Sequence, residues 1–225
     1  MGINQSRVVM TEPLLNTDRL HGEADLAELR RSWGVADTRT RIVIATGDPP
    51  ETIDALLAML SVGLAAETGR PLRLLIGPHA KNLARARRVI QDADRPEVLI
   101  VHETADQPWE SLGAVDFVLA MNSGPAICWA MAAGMPIVAR DNYAARQQLS
   151  HDHTALLGRA DSAGDLARQI IRLYDHPDLA RTIADNARHT AVKRYSVAQN
   201  LSGWHRMYEQ LAATLPKPQT PSRRT

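Results

Sequence analysis

The sequence predicts an α/β fold in which a doubly wound parallel sheet of the Rossmann type is followed by a helical C-terminal extension. Apolar runs with the length of strands alternate with longer segments that have helical spacing. Each strand-like run is apolar almost throughout, which is typical of a strand that helices cover on both faces. Since crossovers between parallel strands are right-handed, this alternation favours the doubly wound arrangement.

The predicted elements follow one another in regular order. Glycine and proline mark many of the boundaries, as Gly134 and Pro136 do between one helix and the next strand. Strands are predicted over 41–46, 71–76, 97–102, 115–120, 136–139 and 154–157. Helices are predicted over 24–33, 51–67, 80–92, 106–112, 126–133 and 142–149, with three more after Ser162, of which the last covers 197–215.

Composition limits the kinds of partner that the protein can have. The 225 residues carry a formal net charge of +1 and are 44% hydrophobic, so we expect a real core and no broad basic surface for nucleic acid or membranes. The single cysteine, Cys128, lies in a predicted helix and is interpreted as a core residue. Neither a secretory signal nor an apolar run of membrane length is found, so no integral membrane segment is expected and the predicted location is the cytoplasm.

The turn between the strand at 115–120 and the helix that follows is the strongest candidate for a binding site. Asn122, Ser123 and Gly124 supply turn and N-cap chemistry, and Pro125 suits the first helical position. A helix that begins directly after a strand directs free backbone N–H groups and the positive end of its dipole above the sheet. The alternative is a plain N-cap without a ligand.

Other candidate residues follow the remaining strands. Because the carboxyl ends of parallel strands meet at one edge of the sheet, Gly47, Gly77, His79 and His102 are expected near this turn. The two histidines are candidates for contacts with a base or a phosphate, or are exposed loop residues. Trp129 is interpreted either as a packing residue or as a stacking partner for a nucleobase.

Residues 130–139 have the sequence AMAAGMPIVA. They resemble the signature E-A-M-A-x-G-x-P-V-V-A, from its second position onward, of the nucleotide-sugar-binding C-terminal half of GT-B-fold retaining glycosyltransferases. This group includes bacterial mannosyl- and glucosyltransferases and glycogen synthase. Gly47 and the segments LLIG at 74–77, HTALL at 153–157 and YS at 195–196 match the same family in the right order.

The resemblance implies transfer of a hexose from a UDP-, GDP- or ADP-linked donor, with the donor site at the strand edge around Gly47, Gly77 and residues 122–125. It identifies no catalytic residue. The sequence also departs from the family, whose donor-site motif it carries only in part. Trp129 stands where the family has a glutamate that binds the ribose, and residues 121–123 lack the family's first glutamate.

Asp48 and Glu51 stand near the positions where the family places Arg and Lys to hold the donor diphosphate. One interpretation is a solvated helix start, where carboxylates suit the dipole. The other is a divalent cation that joins the two side chains to a diphosphate. No other cofactor and no metal site is predicted, since His151 and His153 have no further ligands nearby in the sequence.

The resemblance implies an interdomain-like linker with a short helix at 1–35 and the Rossmann-like domain at 36–215, while the polar, Pro-rich composition of 216–225 predicts a disordered tail. In that family the acceptor half is a second, N-terminal Rossmann-like domain, which is therefore the expected partner, either in a full-length protein or in another chain. Two functions remain open. One is the donor-binding half of a glycosyltransferase, and the other is a degenerate, non-catalytic binding or assembly module that has lost donor binding.

Overall fold

The computed structural model describes residues 15–16, 25–46, 52–76, 99–101, 112–122 and 124–214. Within these residues the fold is a six-stranded sheet, parallel throughout, with the strand order β3-β2-β1-β4-β5-β6. The strands are β1 Arg41–Thr46, β2 Leu72–Ile76, β3 Leu99–Val101, β4 Phe117–Ala120, β5 Ile137–Asp141 and β6 Leu156–Arg159. This arrangement confirms the predicted doubly wound α/β fold.

The described helices cover both faces of the sheet and extend beyond it. They are α1 Leu26–Ser32, α2 Thr52–Ala66, α3 Pro125–Ala132, α4 Tyr143–Arg146, α5 Ala163–Asp175, α6 Pro177–Tyr195 and α7 Val197–Thr214. The predicted helix at 80–92 and residues 106–111 of the predicted helical turn at 106–112 lie outside the described residues. None of the described helices is both long enough and apolar enough to cross a membrane.

Two apolar cores lie on opposite faces of the sheet, because successive strand residues point to opposite faces. Ile42 and Ile44 of β1 pack in the same cluster as Ile127 of α3. Val43, between them, packs in the other cluster with Val62 of α2. The continuous apolar runs of the sequence therefore have a structural reason, since polar side chains would be buried on either face.

The strand order creates a crevice at one edge of the sheet. β1 pairs with β2 on one side and with β4 on the other, so the chain leaves β1 and β4 in opposite directions. In sheets of this type, ligands bind outside the carboxyl ends of the strands at such a switch point. The predicted binding turn follows β4 and lies at this carboxyl edge.

Most described boundaries agree with the sequence predictions, and one differs clearly. β1 has the predicted limits, and Gly134 ends α3 with a φ of 68°, a conformation that glycine adopts without strain. The helix predicted over 142–149 is only the four-residue α4. Residues 147–148 form a turn, and the side chain of Gln148 bonds there to Gly124 at the start of α3.

Candidate functional site

The turn after β4 has the predicted design, with Gly124 as the N-cap of α3 and Pro125 in the first helical turn. Gly124 has φ 133° and ψ −162°, a conformation that other residues rarely adopt. As a glycine, the N-cap residue Gly124 has no side chain with which to cap the helix. The backbone at this position therefore depends on glycine and on support from another part of the chain.

That support comes from Gln148, in the turn after α4. Its Oε1 accepts a hydrogen bond from the Gly124 N–H at 3.0 Å, and its Nε2 donates to the Gly124 carbonyl oxygen at 3.3 Å. The same Nε2 lies 3.1 Å from Sγ of Cys128, which is fully buried, as predicted. The side-chain amide of Gln148 thus fixes the peptide that begins α3.

This contact reduces the number of backbone N–H groups that the turn can offer to an anion. The Gly124 N–H is bonded to Gln148, and Pro125 has no N–H. The Ile127 N–H bonds to the Gly124 carbonyl oxygen at 3.1 Å. Within the described part of this turn, the Ala126 N–H is the one first-turn donor that the structure leaves without a partner.

A charged group also lies at the carboxyl edge. Arg140, near the end of β5, bonds to Asp54 in the first turn of α2, with Nη1 and Oδ1 2.5 Å apart. Its Nε donates to the Ala160 carbonyl oxygen at 2.6 Å. Since Asp54 follows β1 and Ala160 follows β6, this guanidinium links parts of the chain that leave the sheet at different strands.

The hydroxyl of Thr46 is a further polar group at this edge. Thr46 ends β1, and alternation along the strand directs its side chain to the same face as Ile44 and α3. Its Oγ1 is buried and has no partner among the described residues. Buried polar groups normally have a hydrogen-bond partner, so a ligand or an ordered water fits here.

A second ion pair at the edge is turned toward solvent. Arg146 bonds to both carboxylate oxygens of Asp141, with Nε 2.5 Å from Oδ1 and Nη2 2.7 Å from Oδ2. These bonds, followed by the attraction of the guanidinium charge, hold the pKa of Asp141 below its usual value despite the opposing effect of burial. Arg146 is therefore held in place by both oxygens of the Asp141 carboxylate.

The structure describes only part of the predicted site. Asn122, Gly124 and Pro125 follow β4 as predicted. Trp129 is half-buried on α3 and packs against the apolar core, which agrees with the packing interpretation. The remaining predicted residues lie outside the described part: Gly47, Asp48, Glu51, Gly77, His79, His102 and Ser123.

Sequence reasoning missed Arg140, Gln148 and Thr46. A charged residue at the end of the apolar strand β5 was the available signal for Arg140. The described residues contain no group of three or more side chains able to hold a metal ion. His151, which precedes β6, has a structural role, since its Nδ1 accepts a hydrogen bond from the N–H of Leu157 in that strand at 2.9 Å.

A comparison with protein families finds a match that begins at this edge of the sheet. Residues 124–190 match the family model of glycosyl transferases group 1, so the match begins at the N-cap of α3 and ends within α6. No curated protein sequence matches the chain significantly.

Solved structures resemble the chain over most of its length. A glycosyltransferase from Rickettsia africae matches with a TM-score of 0.80 and 16% identity, over 95% of this chain and 59% of that one. HepE of Anabaena, in complex with UDP and glucose, matches with a TM-score of 0.72 and 17% identity, over 90% of this chain and 55% of that one. The chain thus spans somewhat more than half the length of these two proteins.

One smaller solved structure, a single domain, is matched over almost its whole length. The C-terminal domain of a glycosyl transferase group 1 family protein, LpcC of Francisella tularensis, has a TM-score of 0.63 and 13% identity, over 81% of this chain and 99% of that one. The fold and its carboxyl edge therefore define a Rossmann-like domain of the kind that binds ligands at a switch point. More particularly, its fold is that of the C-terminal domain of GT-B glycosyltransferases, as the sequence motifs predicted.

Proposed function

We propose that this chain is the donor-binding half of a glycosyltransferase that transfers a hexose from a nucleotide sugar to an acceptor. The observation that carries the proposal is that the match to glycosyl transferases group 1 begins at Gly124. The matched segment therefore includes the helix that begins at the switch point of the sheet, where a ligand of this fold binds. The same match favours this function over that of a module without donor binding.

The polar groups at the edge suit a nucleotide diphosphate. The Ala126 N–H lies in the first turn of α3, whose dipole favours negative charge, and the buried Thr46 hydroxyl can donate to a phosphate oxygen. Complexes of HepE with UDP and with UDP-glucose support a uridine nucleotide as the first donor to test. In this proposal the donors at the edge stabilise the leaving diphosphate as negative charge develops on it.

The residues predicted from the sequence are part of the same proposal. The diphosphate lies against the turn of Asn122, Ser123, Gly124 and Pro125, with Gly47 and Gly77 allowing close approach of the neighbouring loops. His79, His102 and Trp129 are the candidates for contacts with the base or the ribose.

The proposed reaction requires a second Rossmann-like half that binds the acceptor, supplied by a longer protein or by a partner chain. Residues 1–35 then form the connection to that half, and residues 36–215 form the donor domain.

Binding is tested by thermal unfolding of the purified chain with UDP-, GDP- and ADP-glucose. A ligand that binds only the folded state at one hundred times its Kd stabilises it by about 2.7 kcal/mol. We expect at least one of the three to raise the Tm in a concentration-dependent way. An unchanged Tm with all three at millimolar concentration contradicts donor binding.

A second set of titrations, with and without Mg²⁺ and with a chelator, separates the two interpretations of Asp48 and Glu51, a solvated helix start and a bridging divalent cation. A nucleotide affinity that does not depend on the metal excludes a bridging cation there. The same nucleotide series without the sugar separates recognition of the nucleotide from recognition of the hexose.

A further inference from the structure

Arg140 is the residue at the carboxyl edge whose charged group is positioned by several parts of the chain. It belongs to β5, and its guanidinium contacts Asp54 of α2 and the carbonyl oxygen of Ala160. Nη1 also lies 3.5 Å from the carbonyl oxygen of Met121, the residue that follows β4. These contacts fix the guanidinium close to where β4 ends and α2 begins, on either side of the switch point.

The guanidinium retains hydrogen-bonding capacity. An arginine has five N–H donors in a rigid plane. Nε and Nη1 account for all the contacts that the described part of the chain makes with Arg140, so both N–H groups of Nη2 remain unused. The side chain is about one-fifth exposed, at 21%, so a ligand at the edge can reach it with little competition from water.

Two other arginines at this edge also keep unused donors, but their side chains are far more exposed than that of Arg140. The side chain of Arg146 is 64% exposed and is bound through two donors by Asp141. The side chain of Arg159, at the end of β6, is 73% exposed and lies beside Asp165. Of these three arginines, Arg140 is therefore the one whose part-buried guanidinium is held by several parts of the chain and still has unused donors.

We propose that Arg140 binds the diphosphate of the nucleotide-sugar donor through Nη2, and that Asp54 is a positioning residue that holds the guanidinium in place. The planar fork of an arginine matches the geometry of phosphate oxygens, and a charge-assisted bond of this kind is stronger than a neutral one. This inference rests on the proposed function, since it assigns a cation to the same site. It also assigns to the site a guanidinium that the sequence alone did not predict.

The experiment measures the affinity of UDP, pyrophosphate and uridine for the full chain by calorimetry and ligand-observed NMR. The variants are Arg140→Gln and Arg140→Lys, with Arg146→Gln as the matched control at the same edge. We expect Arg140→Gln to weaken binding of UDP and pyrophosphate by about ten- to a hundredfold, from the loss of a charged hydrogen bond. Uridine, which has no phosphate, is expected to bind all variants equally.

Arg140→Lys is the control for a folding defect in Arg140→Gln, because lysine keeps the charge and can still pair with Asp54. It is expected to fold and to bind UDP with an affinity between those of wild type and Arg140→Gln. Circular dichroism and thermal unfolding of each variant show whether an affinity refers to a folded protein. The Arg146→Gln variant should bind UDP as the wild type does.

The outcomes separate the two proposals. If UDP binds equally to wild type, Arg140→Gln and Arg140→Lys, the role of Arg140 is wrong and the proposed function stands. If the wild type binds pyrophosphate through Arg140 but no nucleotide, the phosphate contact stands and the proposed function fails. If the wild type binds neither nucleotides nor pyrophosphate, both proposals are wrong.

Discussion

The side-chain amide of Gln148 bonds to both polar backbone groups of Gly124, with Oε1 3.0 Å from the N–H nitrogen and Nε2 3.3 Å from the carbonyl oxygen. A residue 24 positions further along the chain thus bonds to the N-cap residue of α3, which as a glycine has no capping side chain of its own. The turn after β4, which includes Gly124, carries the proposed donor site. The turn after α4, which includes Gln148, therefore helps to hold that site in place.

The first prediction concerns this cap. Gln148→Ala leaves the Gly124 peptide without its partners, and loss of a helix cap of this kind costs about 1 kcal/mol. Gln147→Ala, at the exposed neighbouring position, is the control and should change the free energy of unfolding by less than about 0.5 kcal/mol. Urea denaturation measures both. Equal effects of the two substitutions would show that the Gln148 contacts contribute nothing measurable.

The second prediction uses two glycines close together in the sequence. A Cβ added to Gly158 in β6 would lie 3.1 Å from the backbone nitrogen of Leu166 and 3.2 Å from the carbonyl carbon of Asp165. Since backbone atoms of α5 cannot move aside easily, Gly158→Ala should destabilise the protein by about 1–3 kcal/mol.

Gly164, in the first turn of α5, is the matched control because an added Cβ there meets open space. Gly164→Ala should leave stability unchanged or raise it by about 0.5 kcal/mol, since alanine favours the helix. Thermal unfolding of both variants checks the pair. A Gly158→Ala variant as stable as Gly164→Ala would contradict the close packing of β6 against α5.

The sequence was sufficient for features that depend on local patterns. The limits of β1 followed from a continuous apolar run that ends at Gly47, and the end of α3 followed from Gly134. The contacts of Gln148 and Arg140 could not be predicted, because they join residues 24 and 86 positions apart. Such pairs depend on the order of the strands in the sheet and on how far each strand is shifted along its neighbour. The periodicity of a single sequence gives neither.

The third prediction concerns the opposite edge of the sheet. Asp116, just before β4, accepts hydrogen bonds from Arg30 at 3.0 Å, Arg41 at 2.8 Å and the Ile42 N–H at 2.9 Å. Its side chain is only 16% exposed, so Asp116→Ala leaves the Ile42 N–H without this acceptor and removes the ion pairs with Arg30 and Arg41. We expect a loss of about 2–4 kcal/mol in the free energy of unfolding.

Asp178→Ala is the control for Asp116, because its side chain is 94% exposed and its contact with Arg181 is 3.4 Å long. That variant should lose less than about 0.5 kcal/mol. Asp116→Asn keeps the shape and part of the acceptor capacity, so its loss should lie between the two. If Asp116→Ala unfolds at the same urea concentration as Asp178→Ala, the Asp116 network does not join α1 to the sheet in solution.

The fourth prediction concerns acid stability and the pair between Arg70 and Asp175, which joins the connection between α2 and β2 to the end of α5. Arg70 Nε donates to Asp175 Oδ1 at 2.9 Å, and Nη2 contacts the other carboxylate oxygen. The hydrogen bonds from Arg70, followed by its charge, lower the pKa of Asp175, while burial opposes the shift. The carboxylate therefore contributes stability above its unfolded pKa of about 3.9, and this contribution is lost as the pH falls through the lower folded pKa.

Asp175→Asn removes this contribution without changing the size of the side chain. Its free energy of unfolding should be lower than that of the wild type at pH 7, and the difference should shrink as the pH falls below about 3.9, because the carboxyl of the unfolded wild type then takes up a proton before that of the folded protein does. Urea denaturation between pH 7 and the acid limit of folding measures the two curves. The pair is exposed to solvent, so the difference at pH 7 should also shrink in high salt. Parallel curves for wild type and Asp175→Asn across this range would show that the pair makes no contribution to acid stability.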